Sequence, residues 1–385
     1  MFSLTIAMGI GRFAYTPLLP LMQDDLGFSD TVAGLLATSN YAGYLVGALL
    51  ASIIPTKEKR TFWLKVSLVS SVVTTGLMGL SHAYLIWHLL RFFSGVASSF
   101  VFVFASSIVL DKLARRGKTS WSGFFYSGVG FGIFSSSLLI SYIHHSVQWE
   151  MLWIGLAALC GILTLFVSVW VRDKEPIHEC AEKVMTPKHF SKMDSKRFLT
   201  FLLIAYGLEG LGYIVTGTFI VSIAEKTTTF NQQATAIWTV VGLSAIPSCY
   251  LWAKFAKKIG DVQALITAMV LQAVGITLPV IWNAEVSFLL SAILFGATFM
   301  GITTLATTLA REIDSENSSR IIGIMTTIYA SGQMIGPVIA GSFATFTGSF
   351  HLPLIGAGVS VLMGSFLLVL SKKKIKSSNE SQLNY

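Results

Sequence analysis

Long apolar runs broken by short polar stretches dominate this chain. They cover about 2–22, 31–54, 63–81, 84–110, 120–143, 151–171, 198–223, 233–254, 262–282, 286–310, 321–345 and 352–371. A hydrocarbon core of about 30 Å takes roughly 20 apolar residues per helical crossing, and each of the twelve runs is long enough. In lipid, an element that does not close on itself must satisfy its own backbone hydrogen bonds, which a helix does and a lone strand does not. The alternation over about ten residues that marks barrel strands is absent. The pattern therefore predicts an all-α polytopic membrane protein of twelve transmembrane helices. The first run carries Arg12 in its middle and ends in Pro17 and Pro20, with no basic start and no small-residue cleavage site. It reads as helix 1 and not as a signal peptide.

Composition supports this reading. Of 385 residues 53% are hydrophobic and 12% charged, against about 25% charged in a soluble domain, and the mean hydropathy is +0.69. The net charge of +8 matters through its placement. Of 27 Lys and Arg, 24 fall on the side of the termini and only Lys226 lies in a loop on the other, which leaves Arg12 and Arg91 inside the membrane. Because basic residues in short loops set orientation, both termini are expected in the cytoplasm. No single basic stripe forms, so nucleic acid is not an expected partner. The longest polar segment divides six runs from six, giving an N-terminal bundle 1–171, a cytoplasmic linker 172–197, a C-terminal bundle 198–371 and a basic tail 372–385. Cys160, Cys180 and Cys249 are odd in number and two lie in apolar runs, so no disulfide framework is implied.

The two halves echo each other. Gly9-x-Gly11 in helix 1 matches Gly210-x-Gly212 in helix 7 at an offset of 201, and Ser127-Gly128-x-x-x-Gly132 in helix 5 matches Ser331-Gly332-x-x-x-Gly336 in helix 11 at an offset of 204. The basic loop at Lys57–Arg60 matches Lys257–Lys258 at a similar spacing. Parallel repeats related by an axis along the membrane normal are a transporter plan.

The opening Met8-Gly9-Ile10-Gly11-Arg12-Phe13-Ala14-Tyr15-Thr16-Pro17-Leu18-Leu19-Pro20, together with Tyr206-Gly207-Leu208-Glu209-Gly210-Leu211-Gly212-Tyr213, resembles the YbfB/YjiJ group of bacterial permeases in the major facilitator superfamily. The resemblance extends over nearly the whole chain. It implies two pseudo-symmetric six-helix halves and secondary transport of a small solute by alternating access. Arg91 followed by Gly95 is similar to the superfamily's membrane-embedded arginine motif. The loop after helix 2 departs from the usual Gly-x-x-x-Asp-Arg-x-Gly signature, since 53–60 keeps basic residues but has neither Gly nor Asp, and the second copy has Lys257 where Asp is expected. The Gly-x-x-x-Gly-Pro element of antiporters is incomplete in helix 5, where Ile133 follows Gly128 and Gly132, and complete in helix 11 as Gly332, Gly336 and Pro337. Read without the resemblance, these glycines are helix-packing positions.

Other motifs carry less. Gly9-x-Gly11-x-x-Ala14 fits a dinucleotide fingerprint in spacing, yet it sits inside an apolar run and lacks the preceding strand. No Gly-x-x-x-x-Gly-Lys-Ser/Thr loop occurs, and His144-His145 has no Cys or carboxylate cluster beside it, so neither a cofactor nor a metal is expected.

The intramembrane charges carry the functional argument. At 1.5 Å per residue Arg12 lies about 17 Å into helix 1, and Glu209 is equally deep in helix 7. A charge there costs at least about 2.5–3.5 kcal/mol and should face a wet cavity or a partner. Glu209, Arg12 and Arg91 are therefore the expected proton-coupling residues. A carboxyl that meets an arginine in only one access state changes its proton affinity as the halves rock. The alternatives are a static ion pair for Glu209, snorkelling to headgroups for Arg12, and a tie to neighbouring carbonyls for Arg91. Tyr15, Asn40, Tyr44, Tyr206, Tyr213, Trp238, Tyr329 and Gln333 are the expected cavity lining, suited to a modest-sized, partly apolar solute; helix packing is their other reading. A lipid enzyme would need clustered His, Asp or Glu at one face, and a sensor a large output domain. Neither is present in the sequence. The expected partners are a small-molecule substrate, protons and the bilayer, with the chain acting as a monomer and not as an enzyme.

Overall fold

The computed structural model describes residues 1–53, 59–116, 121–171, 192–226, 234–282, 284–313 and 318–383. It is helical throughout, with no strand among the described residues. The broken α1 (2–26) consists of Phe2–Leu4, the π-helical Thr5–Ile10 and Tyr15–Leu26. There follow α2 (Asp30–Ile53), α3 (Arg60–Met78), α4 (Tyr84–Arg115), α5 (Ser122–Ile143) and α6 (Trp149–Trp170). The second set is α7 (Lys192–Glu225), α8 (Ala234–Ile259), α9 (Asp261–Ile281), α10 (Glu285–Ile313), α11 (Ser318–Thr347) and α12 (His351–Leu383). Ten of these are each long and apolar enough to cross a membrane; α1, interrupted midway, and α11 bring the membrane-length segments to twelve.

Several boundaries differ from the sequence expectation. Helix α7 begins at Lys192, inside the segment read as a linker, and α12 continues to Leu383 through most of the basic tail. Lys, Met, Arg and Gln are good helix formers, so a helix need not stop where the hydrocarbon does. Residues 172–191, including Cys180, and 384–385 lie outside the described residues, as does Lys57.

The packing inverts that of a soluble protein. Large apolar side chains at helical spacing point outward, as with Val66, Val69 and Val73 on α3 or Ile162, Leu165, Phe166 and Val169 on α6. Small residues allow close approach inside. Helix α2 packs against α4 and α11, α5 against α1 and α8, and α7 against α1, α11 and α12. Gly9 and Gly132 meet face to face: a methyl on Gly132 would stand 2.7 Å from Gly9 Cα. Gly128 lies against the Met1 carbonyl, and Gly332 and Gly336 lie against Gly207 and Leu211 of α7. The carbonyl of Pro337 abuts Gly34 of α2. Gly27, at φ 67°, takes the left-handed conformation that ends α1 and donates its N–H to Gln23 O at 2.8 Å.

Candidate functional site

The break in α1 organises the first part of the site. Gly11 and Phe13 donate to the carbonyls five residues back, Ile6 at 2.8 Å and Met8 at 3.3 Å, and Thr16 N–H goes to Phe13 O at 3.2 Å instead of to Arg12 O. Pro17 has no N–H to offer, which favours an interruption here. The carbonyls of Gly11 and Arg12 are turned toward α4. Arg91 donates from Nη1 to Gly11 O at 3.4 Å and from both Nη1 and Nη2 to Arg12 O at 3.5 and 3.4 Å. Ser94 Oγ donates to Gly11 O at 3.1 Å. The guanidinium lies 4.6 Å from the centre of the Tyr15 ring, and Tyr15 OH donates to Ala33 O at 3.0 Å. Asn40 Nδ2 donates to Arg91 O at 2.9 Å. Arg91, Tyr15 and Asn40 thus form one tie among α1, α2 and α4. Irregular backbone at membrane depth is tolerated where protein groups satisfy it.

Arg12 faces the other way, into the interior between the two sets of helices. It is 2% exposed, so it does not snorkel. Its Nη2 donates to Gln333 Oε1 of α11 at 2.7 Å, and its guanidinium lies 4.5 Å from the ring centre of Tyr44, 4.8 Å from Tyr41 and 5.3 Å from Phe13. Cation–π contacts of this kind gain strength when water is excluded. Gln333 Nε2 donates onward to Tyr213 OH. Tyr213 then stacks on Tyr329 at 5.5 Å, and Tyr329 on Tyr206 at 4.2 Å, both at 11° between planes. Trp238 of α8 stands 6.1 Å from Phe13 and 6.3 Å from Phe295, with its indole N–H unbonded.

Glu209 closes this sequence of contacts. It is 0% exposed. Gln272 of α9 and Tyr329 of α11 are the polar side chains that reach its carboxyl, but neither carboxyl oxygen makes a hydrogen bond of good geometry. Among the described residues no ion pair joins it to Arg12. Arg12 and Glu209 are separated by Gln333, Tyr213 and Tyr329. Of the eight expected cavity residues, six therefore cluster around Arg12 and Glu209, while Tyr15 and Asn40 belong with Arg91. Gln272, Tyr41 and Phe13 were not anticipated. Gln272 was legible as an amide in the middle of an apolar run; the other two were not distinguishable from packing aromatics.

A second set of polar contacts runs from beside Arg12 to the end of the bundle opposite the termini. Lys226 pairs with Asp30 at 2.7 Å, and Gln23 Nε2 donates to Asp30 Oδ1 at 3.0 Å. Thr31 Oγ1 donates to Thr345 Oγ1 at 2.9 Å, Thr38 Oγ1 to Met334 O at 2.9 Å and Thr16 Oγ1 to Gly217 O at 2.6 Å. Apart from Gln23–Asp30, which joins α1 to α2, each contact links α1 or α2 to α7, α11 or the turn after α7, so this end is laced shut. A cavity of about 530 Å³ lies there, lined in part by Gln23, Asp24, Asp30, Ser222, Glu225 and Lys226. None of the eight expected lining residues borders it. Elsewhere, His88 Nδ1 is 2.8 Å from Ser39 Oγ, and the rings of His144 and His145 are 3.7 Å apart. Cys160 and Cys249 are buried free thiols.

The family profile described as "Uncharacterised MFS-type transporter YbfB" matches residues 4–370. The MFS-type transporter YceJ of Bacillus subtilis is 25% identical over 369 residues, 91% of this chain and 89% of that protein. The quinolone resistance protein NorA of Staphylococcus aureus strain Mu50 is 21% identical over 391 residues, 98% of this chain and 96% of its own. Among solved structures, the nucleoside transporter NupG, in a mutant form, superposes with a TM-score of 0.67 over 98% of both chains at 14% identity, a likeness of fold alone. A match from one end of the chain to the other, on a body of membrane-length helices, makes this a multi-pass membrane transporter and not an enzyme, and the chain belongs to the major facilitator superfamily, in its YbfB-type group.

Proposed function

We propose that this transporter moves a small solute by alternating access, driven by protons that Glu209 binds and releases. The observation that carries the reading is the carboxyl of Glu209, wholly buried at mid-helix with neither oxygen in a hydrogen bond of good geometry. An ionised carboxylate so placed costs several kcal/mol, so this conformation accommodates the neutral acid. Arg12 is held by Gln333 in the same conformation. Because that bond spans the two sets of helices, rocking that separates α1 from α11 breaks it and frees the guanidinium for another partner. Arg91 serves the coupling indirectly, by holding the broken backbone that presents Arg12. The rings of Phe13, Tyr44, Tyr213 and Trp238 around Arg12 favour a modest-sized, partly apolar solute.

The rocking units are 1–171 and 198–371. Their seams, α2 on α11 and α5 on α8, exchange with each other when the halves are exchanged, as a parallel repeat requires. We place both termini in the cytoplasm, by the loop charge, and take a single chain as the working unit. Cysteines placed singly at positions 60, 116, 257 and 374, in a background without native cysteines, should resist an impermeant maleimide in intact cells, and those at 28, 145, 228 and 350 should react. The opposite pattern overturns the orientation. For the mechanism, E209Q in vesicles should lose accumulation driven by a pH gradient while still exchanging substrate down its own gradient. An E209Q protein that concentrates substrate as well as the parent would remove Glu209 from the carrier role, and His88 would be the next residue to test.

A further inference from the structure

Glu209 and Gln272 sit on different helices, α7 and α9, and both are wholly buried. All four of their terminal atoms, the two carboxyl oxygens and the amide oxygen and nitrogen, lack a hydrogen bond of good geometry. Yet Gln272 is one of the two side chains that reach the carboxyl. Each buried polar group left unmet costs about 1–3 kcal/mol, and in the membrane interior bulk water is not at hand to meet it. The two groups hold what each lacks. A neutral carboxylic acid has one O–H donor and one carbonyl acceptor, and a primary amide has one N–H and one carbonyl oxygen on the matching edge.

We propose that Glu209 and Gln272 form a reciprocal acid–amide pair, in which protonated Glu209 donates its O–H to Gln272 Oε1 and accepts an N–H from Gln272 Nε2. Gln272 is thereby the positioning residue for the coupling proton. The inference rests on the reading of Glu209 as proton carrier and adds what holds the proton in place. When the proton leaves, the O–H bond is lost, the carboxylate and the amide oxygen face each other as two acceptors, and only the N–H contact remains. The pair is complete only in the proton-loaded state. Among the described residues, no competing charge contacts it. The titratable groups facing Glu209 are Tyr206 and Tyr213 on its own helix and Tyr329 on α11. From α10, Thr303 engages Tyr206, and from α12, Ser360 is bonded to Leu208 O at 2.8 Å. Arg12 acts from one tyrosine further away.

Infrared spectroscopy of the full-length protein in lipid nanodiscs, titrated from alkaline to acid pH, separates the pair from the carrier reading. The parent should show a carboxylic-acid C=O band that E209Q lacks. In Q272L the band should persist at higher wavenumber, because removing the amide N–H strengthens the C=O bond. The swapped double variant E209Q/Q272E, which exchanges acid and amide, should regain the band at its parental position, a rescue that a purely structural role for Gln272 does not produce. An unshifted band in Q272L, or a swapped protein whose band stays where Q272L puts it, overturns the pair and leaves the carrier reading standing. The absence of any band sensitive to E209Q at every pH overturns the carrier reading, and the pair with it.

Discussion

Arg91 offers the sharpest quantitative test, because the carbonyls it bonds and the ring it faces are defined by distance. Its contacts to the Gly11 and Arg12 carbonyls measure 3.4–3.5 Å, beyond the usual 2.7–3.2 Å for N–H to O. Each adds little as an attraction. What matters is what R91A leaves behind. Gly11 O keeps Ser94 at 3.1 Å, but Arg12 O, which Thr16 N–H does not serve, loses its donors. One orphaned buried acceptor costs about 1–3 kcal/mol, and the lost contact with the Tyr15 ring about 0.5–2 kcal/mol. R91A should therefore destabilise the protein by about 1.5–5 kcal/mol on those two principles together. The pattern is more telling than the size. S94A alone leaves Gly11 O with Arg91 Nη1, and R91A alone leaves it with Ser94, but the double variant leaves it with neither. The losses should exceed additivity by about 1 kcal/mol, within the range for residues sharing a partner. Unfolding of the four proteins in mixed micelles of rising sodium dodecyl sulfate content gives the cycle. Additive losses, or an R91A protein within about 0.5 kcal/mol of the parent, the usual effect of a substitution that touches no special feature, would refute the claim that Arg91 holds the broken helix.

Two further outcomes follow from the geometry. G336L should abolish substrate uptake while leaving folded protein in the membrane, because even a methyl at Gly336 would stand 2.7 Å from Leu211 O and 2.8 Å from the Ile214 side chain; full activity would place that face against lipid. Paired cysteines at Thr31 and Thr345, whose hydroxyls are 2.9 Å apart, should cross-link under mild oxidation and stop transport until a reductant is added, and a cross-linked protein that still transports would mean that this end of the bundle does not open.

The sequence by itself determined the solvent this protein folds in and how often it crosses it. Hydropathy is a local property, summed over about 20 neighbouring residues, so the twelve runs needed no partner to be seen, and the basic loops needed only their order. The rarity of charge in those runs also singled out Arg12, Arg91 and Glu209, since a charge at that depth calls for a reason. Only the tertiary structure decided which group answers which. Arg12 meets Gln333, 321 residues away, and Glu209 meets an amide on α9 and a phenol on α11. That choice depends on the rotation and crossing of each helix, which neither periodicity nor spacing records. The break in α1 has the same character: Pro17 and the glycines permit it, but the residues that stabilise it, Arg91 and Ser94, come from α4. Tyr15 and Asn40 look, along the sequence, like the other candidate lining residues, and are drawn into that tie because the turned carbonyls of Gly11 and Arg12 bring Arg91 to them. Close approach through glycine was partly legible, as small residues spaced four apart, whereas the pairing of Gly9 with Gly132 rests on two helices meeting in space.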